Sequence, residues 1–183
     1  IKFNDLLPEG RGLKNYKDLS LKREEWEEAL NLLGELRRTY GPVIAGTILD
    51  QGDMYDSMRH MGREDLQGLP PNSLSGCGAL IRECAVRPDG WITPCDRLPD
   101  LKAGHIHEHR FREIWHSSEV FETFRKRREV LLSELEECRG CLYHPVCTGG
   151  CPAAPYVLYG TVMTRDPLGC YRIYLGEEAF NVL

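Results

Sequence analysis

Apolar positions first fall into register in "LSLKREEWEEALNLLGELRRTYGP", where Trp26, Ala29, Leu30, Leu33, Leu36 and Tyr40 recur at helical spacing and form one stripe. The stripe predicts an amphipathic helix. Ser20 would cap it, Glu24 and Glu25 suit its first turn, Arg37 and Arg38 suit its last, and Gly41-Pro42 stops it. Upstream, "IKFNDLLPEGRGLKNY" reads as a short strand-like run followed by a Pro/Gly-rich loop. One strand followed by one amphipathic helix is half of a βαβ unit, and such a strand needs parallel neighbours and a covered face. Residues 1–45 therefore read as the end of a larger α/β domain. Val43 to Leu49 suits a strand, whereas residues 50 to 76 mix Gly, Pro, Ser and charge and predict a loop with a helical turn at most. Residues 46–76 form a bridging segment on this reading.

The pattern changes period in "LIRECAVRPDGWITPCD". Two short β-prone runs flank Pro88-Asp89-Gly90; proline presets one turn dihedral and glycine accepts a positive φ, so a hairpin is expected. Its chemical consequence is that Cys84 and Cys95 lie on adjacent strands, close enough to share one metal centre. "FREIWHSSEVFETFRKRREVLLSELEEC" returns to helical spacing. Phe111, Ile114 and Trp115, then Val120, Phe121 and Phe124, make apolar faces, Ser117-Ser118-Glu119 divides two helices, and Arg125 to Arg128 read as solvated. "PYVLYGTVMTRDPLGCYRIYLGEEAF" closes with a short helix or strand, a turn at Asp166-Pro167 and a last cysteine.

Composition narrows the function classes. A formal net charge of −5 leaves no electrostatic footprint for nucleic acid or an acidic membrane. No apolar run reaches the roughly 18 residues of a membrane span, and no secretory signal is visible. Eight cysteines without such a signal point to a reducing, cytoplasmic compartment, where clustered thiols are more often metal ligands than disulfides.

The thiols are Cys77, Cys84, Cys95, Cys138, Cys141, Cys147, Cys151 and Cys170. They are spaced C-x6-C-x10-C, then C-x2-C-x5-C-x3-C, then a lone cysteine after eighteen intervening residues. Eight thiolates complete two four-cysteine sites, and soft sulfur donors favour zinc, cuprous copper or iron–sulfur clusters over magnesium or calcium. Gly149 and Gly150 would let backbone approach a bulky cluster. At this level a zinc-binding structural or interaction module stands beside an iron–sulfur protein, since both want four thiolates per site.

The spacing also resembles the SPASM domain of radical SAM enzymes that modify peptides or proteins. The family pattern C-x(9–15)-G-x4-C runs here through Cys77, Gly90 and Cys95, and the second block through Cys138, Cys141, Cys147, Cys151 and Cys170. Cys84 resembles the extra ligand between the first two, and "KAGHIHEHRFREIWHSSEVF" looks like the family's stretch between the blocks. "LLPEGRG" and the helix after it resemble the last βα unit of that family's partial barrel.

The resemblance implies an α+β fold: a small cysteine-rich domain over 77–183, with a β-hairpin and helices wrapped around two clusters, preceded by the βα remnant of a partial (β/α) barrel. It implies two auxiliary 4Fe–4S clusters with interleaved ligands. One would use Cys77, Cys84, Cys95 and Cys151, the other Cys138, Cys141, Cys147 and Cys170. With every iron so occupied, electron relay or structural support is expected rather than substrate ligation. The family's catalytic C-x3-C-x2-C is missing, because Cys147-x3-Cys151 is followed three positions on by Ala154. The chain as given is therefore expected not to cleave S-adenosylmethionine. That cofactor and a third 4Fe–4S cluster would belong to the full-length enzyme. The partners implied are a peptide or protein substrate, the N-terminal barrel and an electron donor such as flavodoxin or ferredoxin, with neither nucleic acid nor membrane.

Other side chains are weaker candidates. "DGWITPCD" resembles sulfatase maturases, in which an Asp after that cysteine is the proposed base, so Asp96 is a catalytic candidate; its plain alternative is a strand-end turn residue. Arg11 suits an anionic group at a barrel mouth or simply the surface. His105, His107 and His109 alternate but occupy a turn into a helix, which argues against a metal site. His144, inside the cysteine loop, is placed to donate to sulfur.

Overall fold

The structure, a computed structural model, describes residues 1–79 and 81–174. It resolves into two compact units: Ile1–Gly68 with the described residues from Leu168 onward, and Leu69–Pro167. No helix among the described residues is long and apolar enough to cross a membrane.

The first unit is helical. Gly10–Leu19 form α1, Arg23–Tyr40 α2, Thr47–Arg59 α3 and Arg63–Leu66 α4. The predicted stripe builds the core: Leu33, with Trp26, Leu30 and Leu36 beside it, packs against Ile44, Ile48, Leu49 and Phe3, while Tyr40 falls off the stripe into solvent. Two details of the expected helix move. Ser20 closes α1, its N–H donating to the Tyr16 carbonyl at 2.8 Å, and α2 starts later, at Lys22, whose N–H donates to Glu25 Oε2 at 2.8 Å. The Pro/Gly-rich loop expected before it is in fact α1.

The expected strand at Val43–Leu49 is reduced to one parallel bridge, Lys2 to Ala45. Phe3 N–H donates to the Ala45 carbonyl at 2.8 Å and Ala45 N–H to the Ile1 carbonyl at 3.0 Å. Asn4 and Thr47 then end the ladder: Thr47 N–H donates to Asn4 Oδ1 and Asp5 N–H to Thr47 Oγ1, which turns the chain into α3. That helix replaces the loop expected over 50–76. Ile48, Leu49, Tyr55 and Met58 are buried at helical spacing, whereas Asp50, Asp53 and Ser57 face out. Arg37 pairs with Asp53 at 3.1 Å and so ties α2 to α3. The Tyr55 ring lies 5.3 Å from Tyr171, which opens the short helix Tyr171–Tyr174. The rest of the closing stretch, from residue 175, lies outside the described residues.

The second unit is α+β and cysteine-rich. Ala85–Val86 (β1), Trp91–Thr93 (β2) and Gly104–His105 (β3) form an antiparallel sheet in the order β1-β2-β3. Ala85 pairs with Thr93 and Val86 with Ile92, which is the predicted hairpin; Trp91 pairs with His105 and Ile92 with Gly104. Phe111–Ser117 form α5, Glu119–Arg127 α6 and Ala153–Tyr159 α7, with the division between α5 and α6 where expected. Ile92, Leu98, Ile114, Phe121, Phe124, Ala153 and Val162 make the core.

The basic run corrects the sequence reading. Only Lys126 behaves as a solvated face. Arg127 is 2% exposed, donating from Nη1 to the Leu74 carbonyl at 2.6 Å, from Nε to Val162 at 2.7 Å and from Nη2 to Thr164 at 3.4 Å. Arg128 Nη1 donates to the carbonyls of Ser75 and Cys77, and Arg125 Nη2 to that of Trp115. Buried carbonyls need donors, and a guanidinium supplies several in a fixed fork.

Candidate functional site

The site grows from a strap, residues 72–76, laid between residues 130–132 and the loop of the second cysteine block. Leu74 N–H donates to the Val130 carbonyl at 3.0 Å and Leu132 N–H to Asn72 at 2.9 Å. On the other side, Asn72 N–H donates to the His144 carbonyl and Gly76 N–H to Thr148, both at 2.9 Å. Cys77, the first thiol in the chain, is thereby delivered to the loop that carries Cys147 and Cys151, with Arg127 and Arg128 holding the strap's carbonyls from behind.

Gly149 and Gly150 make that delivery geometrically feasible. Both have positive φ, 76° and 68°, and a Cβ would lie 2.3 Å from Leu74 Cδ2 at the first and 2.5 Å from Asp166 Cβ at the second. They admit protein neighbours closely, where the sequence suggested room for a cluster. Asp166 is fixed in turn: its N–H donates to the Gly149 carbonyl at 2.7 Å, and its Oδ2 accepts from Cys151 N–H at 3.1 Å.

None of the eight thiols is in a disulfide. Cys84, Cys95 and Cys151 lie half-buried against the same core of Ile92, Leu98 and Ile114. Cys77 belongs to the same electrostatic neighbourhood. Burial pushes the Cys95 thiol up to about 11, helped by the nearby Cys151, Cys77 and Asp96, and Cys151 is raised by burial, Asp166 and Cys77. Burial also raises Cys84. Arg97 opposes this trend at Cys151, where Nη1 donates to Sγ at 3.1 Å.

Cys138 and Cys147 pack together against Leu74 and Leu132. Cys141 N–H donates to the Cys138 carbonyl at 3.0 Å. Cys170, half-buried, immediately precedes the short helix Tyr171–Tyr174 of the first unit. Two sulfurs receive amide N–H groups at 3.4 Å: Cys77 from Ala79 and Cys147 from Gly149. Among the described residues, no three His, Cys, Asp or Glu side chains converge closely enough to hold a single ion. Soft donors, sulfurs outside disulfides and amides donating to sulfur fit a thiolate-held centre, zinc or an iron–sulfur cluster.

The remaining candidates fall as follows. Asp96 is exposed in the turn after Cys95. Arg11 is exposed on α1. His144 departs from expectation: its Nε2 meets the backbone carbonyl of Cys138 at 2.5 Å and not a sulfur. His105 has a structural task that the sequence reading missed. Its Nε2 meets the Asp89 carbonyl at 2.8 Å and its ring stands edge-on to Trp91, over Gly90. Gly90 has φ 84°, and a Cβ there would lie 2.7 Å from His105 Nε2, so both the turn and the histidine require glycine. Arg97 and Asp166 were also missed; nothing in their spacing marks them.

Comparison with known families separates the thiolate centres that such an environment suits. The SPASM family, an iron–sulfur cluster-binding domain, matches residues 77–142. The chain carries the SPASM region found in radical SAM enzymes. It is 31% identical over 173 residues to the AdoMet-dependent heme synthase of Oleidesulfovibrio alaskensis, covering 91% of this chain and 42% of that protein. To the heme synthase of Methanosarcina barkeri it is 38% identical over 97 residues, 53% of this chain and 26% of that one. To the PqqA peptide cyclase of Methylocella silvestris it is 26% identical over 162 residues, 87% of this chain and 39% of that one. The chain spans less than half the length of these relatives.

Proposed function

We propose that this chain is the auxiliary-cluster region of a radical SAM enzyme, holding two 4Fe–4S clusters that support modification of a substrate bound by the whole enzyme. Cys77, Cys84, Cys95 and Cys151 would hold one, and Cys138, Cys141, Cys147 and Cys170 the other. The parallel bridge between Lys2 and Ala45, with α2 between them, supports reading residues 1–45 as the last βα unit of a partial barrel. The observation that carries the proposal is the packing of Cys84, Cys95 and Cys151, from distant parts of the sequence, against one core with no disulfide among them. When bound, such clusters supply one-electron transfer or a structural brace. The chain's own work is to aim the thiols, donate amides to sulfur and exclude water with the core around Ile92 and Leu98.

Zinc is the rival reading, since two four-thiolate sites suit it as well. For the substrate, a peptide or protein is the reading supported by the PqqA peptide cyclases. A heme precursor is the second reading, favoured by the higher identity to the heme synthases. Asp96, beside Cys95 and open to solvent, is the proposed base in either case.

Anaerobic preparation tests the core of this. The expected protein is brown, absorbs broadly near about 400 nm and contains iron with matching sulfide. A colourless protein with about two zinc ions per chain overturns it. The whole enzyme, given S-adenosylmethionine and reductant, then separates the substrates: a mass change on a peptide supports the first reading, and conversion of a porphyrin the second.

A further inference from the structure

Cys151 is flanked by side chains of opposite charge. Arg97 Nη1 donates to its sulfur at 3.1 Å, while Asp166 Oδ2 accepts its backbone N–H at 3.1 Å from the other side. Both partners are held in place. Arg97 sits in the turn two residues after Cys95, a residue that packs against the same core as Cys151. Asp166 is locked by its own N–H on the Gly149 carbonyl and by contact with Gly150. Arg127 adds a second, buried cation that feels the charges of Cys151, Cys77 and Asp166.

We infer that Arg97 and Asp166 are an opposed pair of positioning residues that sets the reduction potential of the cluster held by Cys77, Cys84, Cys95 and Cys151. The inference rests on the cluster-binding reading above. A guanidinium donating to a ligand sulfur withdraws electron density and stabilises the form carrying one more electron, which raises the potential; a carboxylate on the same ligand's backbone lowers it. The pair makes Cys151 the corner through which the protein tunes this cluster independently of the Cys138–Cys147 loop.

The test is an EPR-monitored redox titration of the anaerobically loaded chain. Dithionite supplies the electron and ferricyanide removes it. R97Q keeps a neutral donor and loses the charge; D166N keeps an acceptor and loses the charge. In R97Q one midpoint is expected to move negative by about tenfold in the reduction equilibrium, about 59 mV for one electron, with the other midpoint unchanged. In D166N the same midpoint moves positive, and R97K returns it toward the wild-type value. Loosened packing does not produce opposite shifts from two neighbours, so the signs separate tuning from structural damage. Unshifted midpoints, or shifts of the same sign, overturn the inference while leaving cluster binding intact. If R97Q loads no cluster, D166N and R97K carry the comparison. A wild-type chain without iron and sulfide overturns the proposed function, and this inference with it.

Discussion

Arg127 shows how much a single side chain decides here. It satisfies the carbonyls of Leu74, Val162 and Thr164 from inside the second unit, so it fastens the strap to the segment before Asp166. Arg127→Met keeps the volume and removes every donor. Each stranded buried acceptor costs about 1–3 kcal/mol, so a loss of about 3 kcal/mol or more is expected in urea denaturation of the metal-free, reduced protein. Gly90→Ala is predicted to cost about 1–3 kcal/mol by the same measurement, because it forces a side chain into a left-handed backbone and against His105. The sequence hid Arg127 behind its charge. The buried positions Phe121 and Phe124 lead three residues on to Arg127, so the stripe continued while hydropathy reversed. Arg97, His105 and Asp166 were illegible for a different reason: their partners are a sulfur 54 residues away, a turn carbonyl and a distant amide, which no local pattern encodes.

Among the elements, the hairpin and α2 were legible because each announces itself locally, by Pro88-Asp89-Gly90 and by an uninterrupted stripe. The helix over Thr47–Arg59 was not. Its inward positions are few, one of them is Gly52 against Leu30, and Asp50 and Asp53 interrupt them, so the segment reads as a loop until the α2 face is there to receive it. Tertiary packing, more than propensity, makes this helix. Leu33, 4% exposed at the centre of that contact, tests the claim: Leu33→Ala is expected to cost about 2–4 kcal/mol and to lower helical ellipticity beyond the loss from one residue. Ser20 shows the limit of capping rules. It stood where a cap was wanted, but the preceding residues also folded as a helix and used it as their stop.

At the scale of the molecule, the cysteine pattern was the most legible feature, because ligand spacing survives in sequence whatever the loops between do. What it could not reveal is the state of the thiols before metal arrives. Cys95 is raised from 9.0 to about 11, and Cys84 and Cys151 are raised as well, so the folded, metal-free protein prefers them protonated. A raised thiol contributes stability that is fully present below the unfolded value and lost as pH climbs through the folded one. Urea midpoints of the reduced apoprotein should therefore hold steady from pH 7 to 8.5 and fall between about pH 9 and 11. Metal uptake must expel those protons, so iron loading under anaerobic conditions should instead strengthen from pH 7 to 9, followed by absorbance. The strap over residues 72–76 adds a last consequence. Main-chain bonds tie it to residues 130–132 and to the second cysteine loop at His144 and Thr148, and Arg127 and Arg128 hold its carbonyls, so none of these ties runs through a sulfur. On the proposed reading, a molecule that loses its clusters to oxygen is expected to keep this fastening and to be refilled without unfolding, which far-UV ellipticity before and after oxygen exposure checks.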